Sequence, residues 1–208
     1  AAVQAEDRQG FAGIVQLQRL AEGRQVSVLL LDLDGTVWEG GRPLSNVVDV
    51  INTCGVPAVY VTNNASRSPE AVSKMLADIG LEATTQQIVT SAQAVLQLVA
   101  DELLATSKLL IIGANSFRDL AREMGFEVVS SADDKPAAVV QGFDRSVGWE
   151  QLTEGALAIR QGAKFFASNL DTSLPIERGF AVGNGSLVAA IQSAQVAGAP
   201  EFAGDVTA

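Results

Sequence analysis

Apolar positions in this chain fall into short solid blocks separated by longer stretches of helical period. Val28-Leu29-Leu30-Leu31 is apolar at every position, the pattern of a parallel strand buried on both faces. After Pro57, Ala58-Val59-Tyr60-Val61 repeats it and runs into Thr62-Asn63-Asn64, and Ile88-Val89 is a third short block. Between the blocks the spacing changes. Pro43 to Asn52 reads as a helix. Ser68 caps the next, with Pro69 at its first position, apolar residues at Val72, Met75, Leu76 and Ile79, and Gly80 as the stop. A third helix, rich in Ala, Val and Leu, runs from Ser91 to about Leu104. Strands alternating with helices predict an α/β fold, a parallel sheet with helical crossovers.

The rhythm then restarts. Strands are predicted at Lys108–Ile112, Phe126–Val129, Ala137–Gln141 and Lys164–Ala167, and helices at Ser116–Met124 and Trp149–Ile159. Asp133-Asp134-Lys135-Pro136 reads as a surface turn, Gly179 to Gly185 as a glycine-rich return, and Ser186 to Ala197 as a last helix. The expected organisation is an N-terminal extension over 1–26, a first core part over 27–100, an inserted domain over 101–178 and a return to the core over 179–208. The extension holds a candidate amphipathic helix on Ile14, Leu17 and Leu20.

Composition narrows the chemistry. Fourteen basic against twenty-four acidic residues give a net charge of −10, which argues against a nucleic-acid-binding face. No apolar run approaches a membrane span and no signal peptide is legible, so the expected location is cytoplasmic. Cys54 is the sole cysteine, which leaves no intrachain disulfide, and it reads as a buried small hydrophobe. The chain has no histidine, which removes imidazole-based triads, zinc sites and acid–base chemistry.

Against that background Asp32-Leu33-Asp34-Gly35-Thr36 stands out, because it directly follows the first apolar block. Ligands of open α/β sheets bind beyond the carboxyl ends of the strands. Asp32, Asp34, Thr62, Asn63 and Asn64 all fall at such ends. Asp32 suits a nucleophile attacking phosphorus, and Asp34 an acid that protonates the leaving alkoxide and then activates water. Gly35 lets the chain turn closely about a phosphate, while the Thr62 hydroxyl and the Asn63 and Asn64 amides supply donors. Two carboxylates repel a phosphate dianion. Mg2+, held by the Asp32 side chain and the Asp34 backbone carbonyl, remedies this. Asp-x-Asp-Gly alone also occurs in calcium loops and plain turns. The longer string, paired with Val-Thr-Asn-Asn-Ala-Ser at a second strand end, is far more specific.

At these residues the chain resembles the haloacid-dehalogenase-superfamily phosphatases with a large α/β (type C2a) cap, in the p-nitrophenyl phosphatase-like branch and closest to actinobacterial glycerol-3-phosphate phosphatases. Asp32–Thr36 resembles the first family motif and Thr62-Asn63-Asn64 the second. Val89-Thr90-Ser91-Ala92, Val139-Val140-Gln141-Gly142, Pro175–Gly179 and Gly183-Asn184-Gly185-Ser186 also resemble this branch. The resemblance covers roughly residues 26–204. It implies a Rossmann-like core with an inserted cap, and a Mg2+-dependent phosphomonoesterase working through an aspartyl-phosphate. The implied partner is a small phosphorylated metabolite such as glycerol 3-phosphate or phosphoglycolate, with no nucleic acid and no membrane, and a homodimer through the cap.

The same resemblance makes Asn169 and Asp171 candidates for positioning or hinge duty, with a polar turn as the alternative. Arg178 is a candidate for meeting a substrate phosphate or pairing with a cap carboxylate, with plain surface exposure the alternative. Trp149 is expected to anchor the cap core, and Asp144 and Arg145 are weaker candidates for facing the leaving group. The family also carries a lysine, usually in Gly-Lys-Pro, and a Gly-Asp with a further Asp for the metal. Neither follows Ala203-Gly204, and Lys135-Pro136, Lys74 and Lys164 do not fit by position. The expectations are a longer natural chain, a partner that supplies the missing strands, or a form that binds phosphorylated ligands without turning them over. Without the missing strand, Val28–Leu31 is expected to be an exposed, apolar sheet edge.

Overall fold

The computed structural model describes residues 27–39, 42–176 and 178–194, and the backbone of Glu201 and Phe202. The candidate helix in 1–26 lies outside the described residues. The chain forms two compact units, one from residues up to Thr62 with Pro69–Val89, the other from Asn63–Ser68 with residues from Thr90 onward.

In the first unit, β1 (Leu29–Asp32), β4 (Ala58–Thr62) and β5 (Ile88–Thr90) form a sheet in the order β1-β4-β5. The first pairing is parallel, with Asp32 opposite Val61. A small hairpin, β2 (Trp38–Glu39) and β3 (Arg42–Pro43), follows β1, then α1 (Val47–Thr53) and α2 (Pro69–Asp78). Pro43 therefore closes a hairpin instead of opening a helix, which starts four residues later. One face of β1 is packed as predicted: Leu31 joins Tyr60, Val72 and Leu76 in the core. The other is not, since Leu30 is 72% exposed. Among the described residues β1 is an edge strand of its sheet.

In the second unit five strands pair in parallel in the order β12-β9-β8-β6-β7. They are β6 (Lys108–Ile112), β7 (Glu127–Val129), β8 (Ala138–Gln141), β9 (Lys164–Ala167) and β12 (Glu201–Phe202). Val140 and Phe166 face one core with Val95, Leu96 and Phe117, while Val139 and Ala167 face another with Val188 and Ile191. The helices are α3 (Ser91–Glu102), α4 (Asn115–Glu123), α5 (Trp149–Arg160) and α6 (Asn184–Ser193). Thr90 caps α3: its hydroxyl accepts from the Gln93 N–H while the Gln93 side chain accepts from the Thr90 N–H. The glycine-rich return forms a hairpin, β10 (Ser173–Ile176) with β11 (Gly179–Val182). Trp149 is not a core anchor. It is 78% exposed at the start of α5. Among the described residues no helix is long and apolar enough to cross a membrane.

Candidate active site

Burial alternates through the signature string: Asp32 is half-buried, Leu33 is 1% exposed, and Asp34 is exposed. Leu33 is thus packed into the core while the aspartates on either side of it stay accessible. The following loop folds back on the Leu33 carbonyl, which accepts from the N–H groups of Thr36, Val37 and Trp38 at 3.3, 2.9 and 3.1 Å. The Gly35 N–H donates to the Trp38 carbonyl at 2.8 Å. Gly35 has φ +83°, while a side chain there would meet no atom within 4 Å. Backbone conformation, not space, makes that position glycine.

The Leu33 N–H donates to Asp32 Oδ1 at 2.8 Å, and Trp38 Nε1–H donates to Asp34 Oδ1 at 2.9 Å. Sequence reading missed Trp38. Its signal was a tryptophan four residues after an aspartate: a buried indole N–H needs an acceptor, and Trp38 is 2% exposed. Thr62 ends β4, the parallel neighbour of β1, and is 2% exposed. The carboxyl ends of two adjacent parallel strands therefore bring Asp32 and Thr62 side by side. The oxygens there are hard donors of the kind Mg2+ takes, one or two carboxylates leaving room for water and phosphate. Among the described residues, no group of three or more His, Cys, Asp or Glu side chains is gathered as a metal cluster.

Asn63 and Asn64 continue the chain as part of the second unit. Asn64 Oδ1 accepts from the N–H and hydroxyl of Ser66 at 2.9 and 2.6 Å, shaping a tight turn. Asn63 Nδ2 donates to Asp171 Oδ2 at 2.5 Å, and the Asn63 carbonyl accepts from Ser91 Oγ at 2.7 Å and Asn169 Nδ2 at 2.9 Å. Asn169 and Asp171 are thus brought onto Asn63. Arg178 is exposed in the turn of the β10–β11 hairpin. The Asp144 carboxylate accepts from both the N–H and the hydroxyl of Ser146. The Ser146 hydroxyl is the main reason its pKa lies below the ordinary carboxylate value, with the Arg118 charge adding to the effect.

Residues 29–127 match the family model for haloacid dehalogenase-like hydrolases. The D-glycerol 3-phosphate phosphatase of Mycobacterium tuberculosis is 42% identical over 177 residues, 83% of this chain and 50% of that protein. An acid sugar phosphatase of Staphylococcus aureus is 33% identical over 184 residues, 87% of this chain and 70% of that one. The crystal structure of the glycerol phosphate phosphatase from Mycobacterium tuberculosis in complex with magnesium superposes with a TM-score of 0.83 at 41% identity, covering 86% of this chain and 55% of that one. The chain spans about half the length of the mycobacterial relative.

Proposed function

Because the chain belongs to the haloacid dehalogenase-like hydrolases, we propose that it carries the nucleophile half of a phosphomonoesterase site. The observation that carries the reading is the juxtaposition of Asp32 and Thr62 at the ends of two paired parallel strands, with Asp34 two residues further along the chain. Asp32 attacks phosphorus as the ester oxygen departs, and Asp34 gives that oxygen its proton. The aspartyl-phosphate is then hydrolysed by water from which Asp34 takes the proton back. Gly35, Thr62 and the main-chain N–H groups of Asn63 and Asn64 cradle the phosphoryl oxygens. Mg2+ would be held by the Asp32 carboxylate and the Asp34 carbonyl, where it neutralises charge between carboxylate and phosphate. The magnesium complex of the mycobacterial relative supports this choice of ion.

The substrate is a small phosphorylated metabolite. Glycerol 3-phosphate is the first candidate, on the strength of the 42% identical relative, and phosphoglycolate the second. Arg178 belongs to the same proposal as a contact for the substrate's phosphate. Self-association through the inserted segment is supported by the exposed Trp149 and Leu157 along α5. The test is phosphate release from each metabolite with magnesium and with chelator. Release that requires magnesium and favours glycerol 3-phosphate is expected. Binding of glycerol 3-phosphate without release would overturn the enzyme reading in favour of a phosphorylated-ligand-binding protein.

A further inference from the structure

Gly183-Asn184-Gly185 and Asn169-Leu170-Asp171 have no part in the chemistry above, yet the second unit builds them into one another. A Cβ on Gly185 would stand 2.0 Å from the Leu170 carbonyl oxygen, and one on Gly183 2.3 Å from that of Asp171. The two backbones touch so closely that only glycine fits. The Gly185 N–H donates to the Asp171 carbonyl at 2.7 Å, and the Gly183 N–H to the Thr172 carbonyl at 3.0 Å. Asn184, 2% exposed, donates its Nδ2 to the Asn169 carbonyl at 2.8 Å. Asn169 is itself 7% exposed, and its Oδ1 accepts from the Asp171 N–H at 3.3 Å. Burying two amides is costly unless they are paired. The Asn169 amide is paired at both ends, whereas Asn184 is paired through Nδ2 alone and its Oδ1 is buried without a partner; these bonds brace one short turn.

That turn projects two side chains onto Asn63. Asp171 takes the Asn63 side-chain amide in a charge-assisted hydrogen bond, and Asn169, together with Ser91, takes the Asn63 carbonyl. A trans peptide unit is planar, with its C=O and N–H pointing in opposite directions. Two donors on the Asn63 carbonyl therefore set the direction of the Asn64 N–H. We propose that Asp171 and Asn169 are positioning residues acting through Asn63, holding the Asn63–Asn64 peptide so that the Asn64 N–H is a preorganised donor, with Gly183–Gly185 as the brace behind them. The catalytic consequence rests on the phosphatase reading; the mechanical one does not.

The test uses the full chain, with Asp171→Ala, Asp171→Asn, Asn63→Ala and the Asn63→Ala/Asp171→Ala double variant. Amide hydrogen exchange over residues 63–68 should speed up about tenfold in Asp171→Ala, with the β8 amides unchanged. Asp171→Asn, which keeps an acceptor oxygen, should stay within about threefold of the parent. The double variant should exchange no faster than either single one, since both remove the same contact. Unchanged exchange in Asp171→Ala, or multiplying effects in the double variant, would overturn the proposal. With p-nitrophenyl phosphate as probe, Asp171→Ala should lower kcat about tenfold at nearly constant KM. A rise in KM at constant kcat would instead make Asp171 a substrate contact and overturn its positioning role. A parent that releases no phosphate would defeat the phosphatase reading alone, and the exchange cycle would still decide this one.

Discussion

Asp144 shows how local hydrogen bonding makes one carboxylate a pH-dependent element of stability. Ser146 hydrogen-bonds the charged form, so the folded-state pKa lies below the unfolded one. The stabilisation is therefore fully present above the ordinary carboxylate range and is lost as pH falls through the depressed folded value. The pair is largely open to solvent, which screens it, so Asp144→Ala should cost less than about 1 kcal/mol at pH 7, and the cost should shrink below about pH 4. Urea unfolding of parent and variant across that range checks it; a difference that widens toward acid would contradict the assignment. Gln141 presents the opposite case. It is fully buried at the end of β8, and neither of its amide atoms has a hydrogen-bond partner. Gln141→Met keeps the volume and removes the unmet groups, so it should raise stability by about 1–3 kcal/mol, read as a higher denaturation midpoint at unchanged m.

Elements depend on close backbone approach as much as on apolar burial, and here the sequence was harder to read. The start of α6 lies against the Leu170 carbonyl, so Gly185→Ala should cost more than about 3 kcal/mol, either by displacing that turn or by unwinding the first turn of α6. A midpoint close to the parent's would show that the contact relaxes cheaply. The strands β1, β4, β6, β8 and β9 were legible because solid apolar blocks have few other readings. The helix after Ser68 was legible from its cap, its proline and its terminal glycine. The β10–β11 hairpin was not, because Pro175 and three glycines across 179–185 look like loop. Trp149 was misplaced because an aromatic residue that opens an amphipathic helix carries no mark of which face it takes. The site divides in the same way. Asp32, Asp34 and Thr62 were readable from strand ends, and Trp38 had a local mark in the aspartate four residues before it, whereas Ser91 and Asn184 act through contacts across 28 and 15 residues that no local pattern encodes.

At the scale of the whole molecule, each unit has its own sheet and core. The strand order of the second unit reverses between β6 and β8, the place where open α/β sheets receive ligands beyond their carboxyl ends. In this chain Ala65 fills that position. A Cβ on Gly142, just past β8, would lie 3.0 Å from the Ala65 Cβ, and Ser116 Oγ at the start of α4 donates to the Ser66 carbonyl at 3.3 Å. The segment that begins with Asn63 therefore occupies the second unit's own ligand position, while the candidate nucleophile Asp32 and acid–base residue Asp34 belong to the first. The most direct measurement is the mass of acid-quenched protein after mixing with glycerol 3-phosphate and magnesium. The peptide containing Asp32 should gain one phosphoryl group, and both this gain and phosphate release should vanish in Asp32→Asn. Phosphate release that survives Asp32→Asn, or a phosphoryl group on any other residue, would contradict Asp32 as the nucleophile.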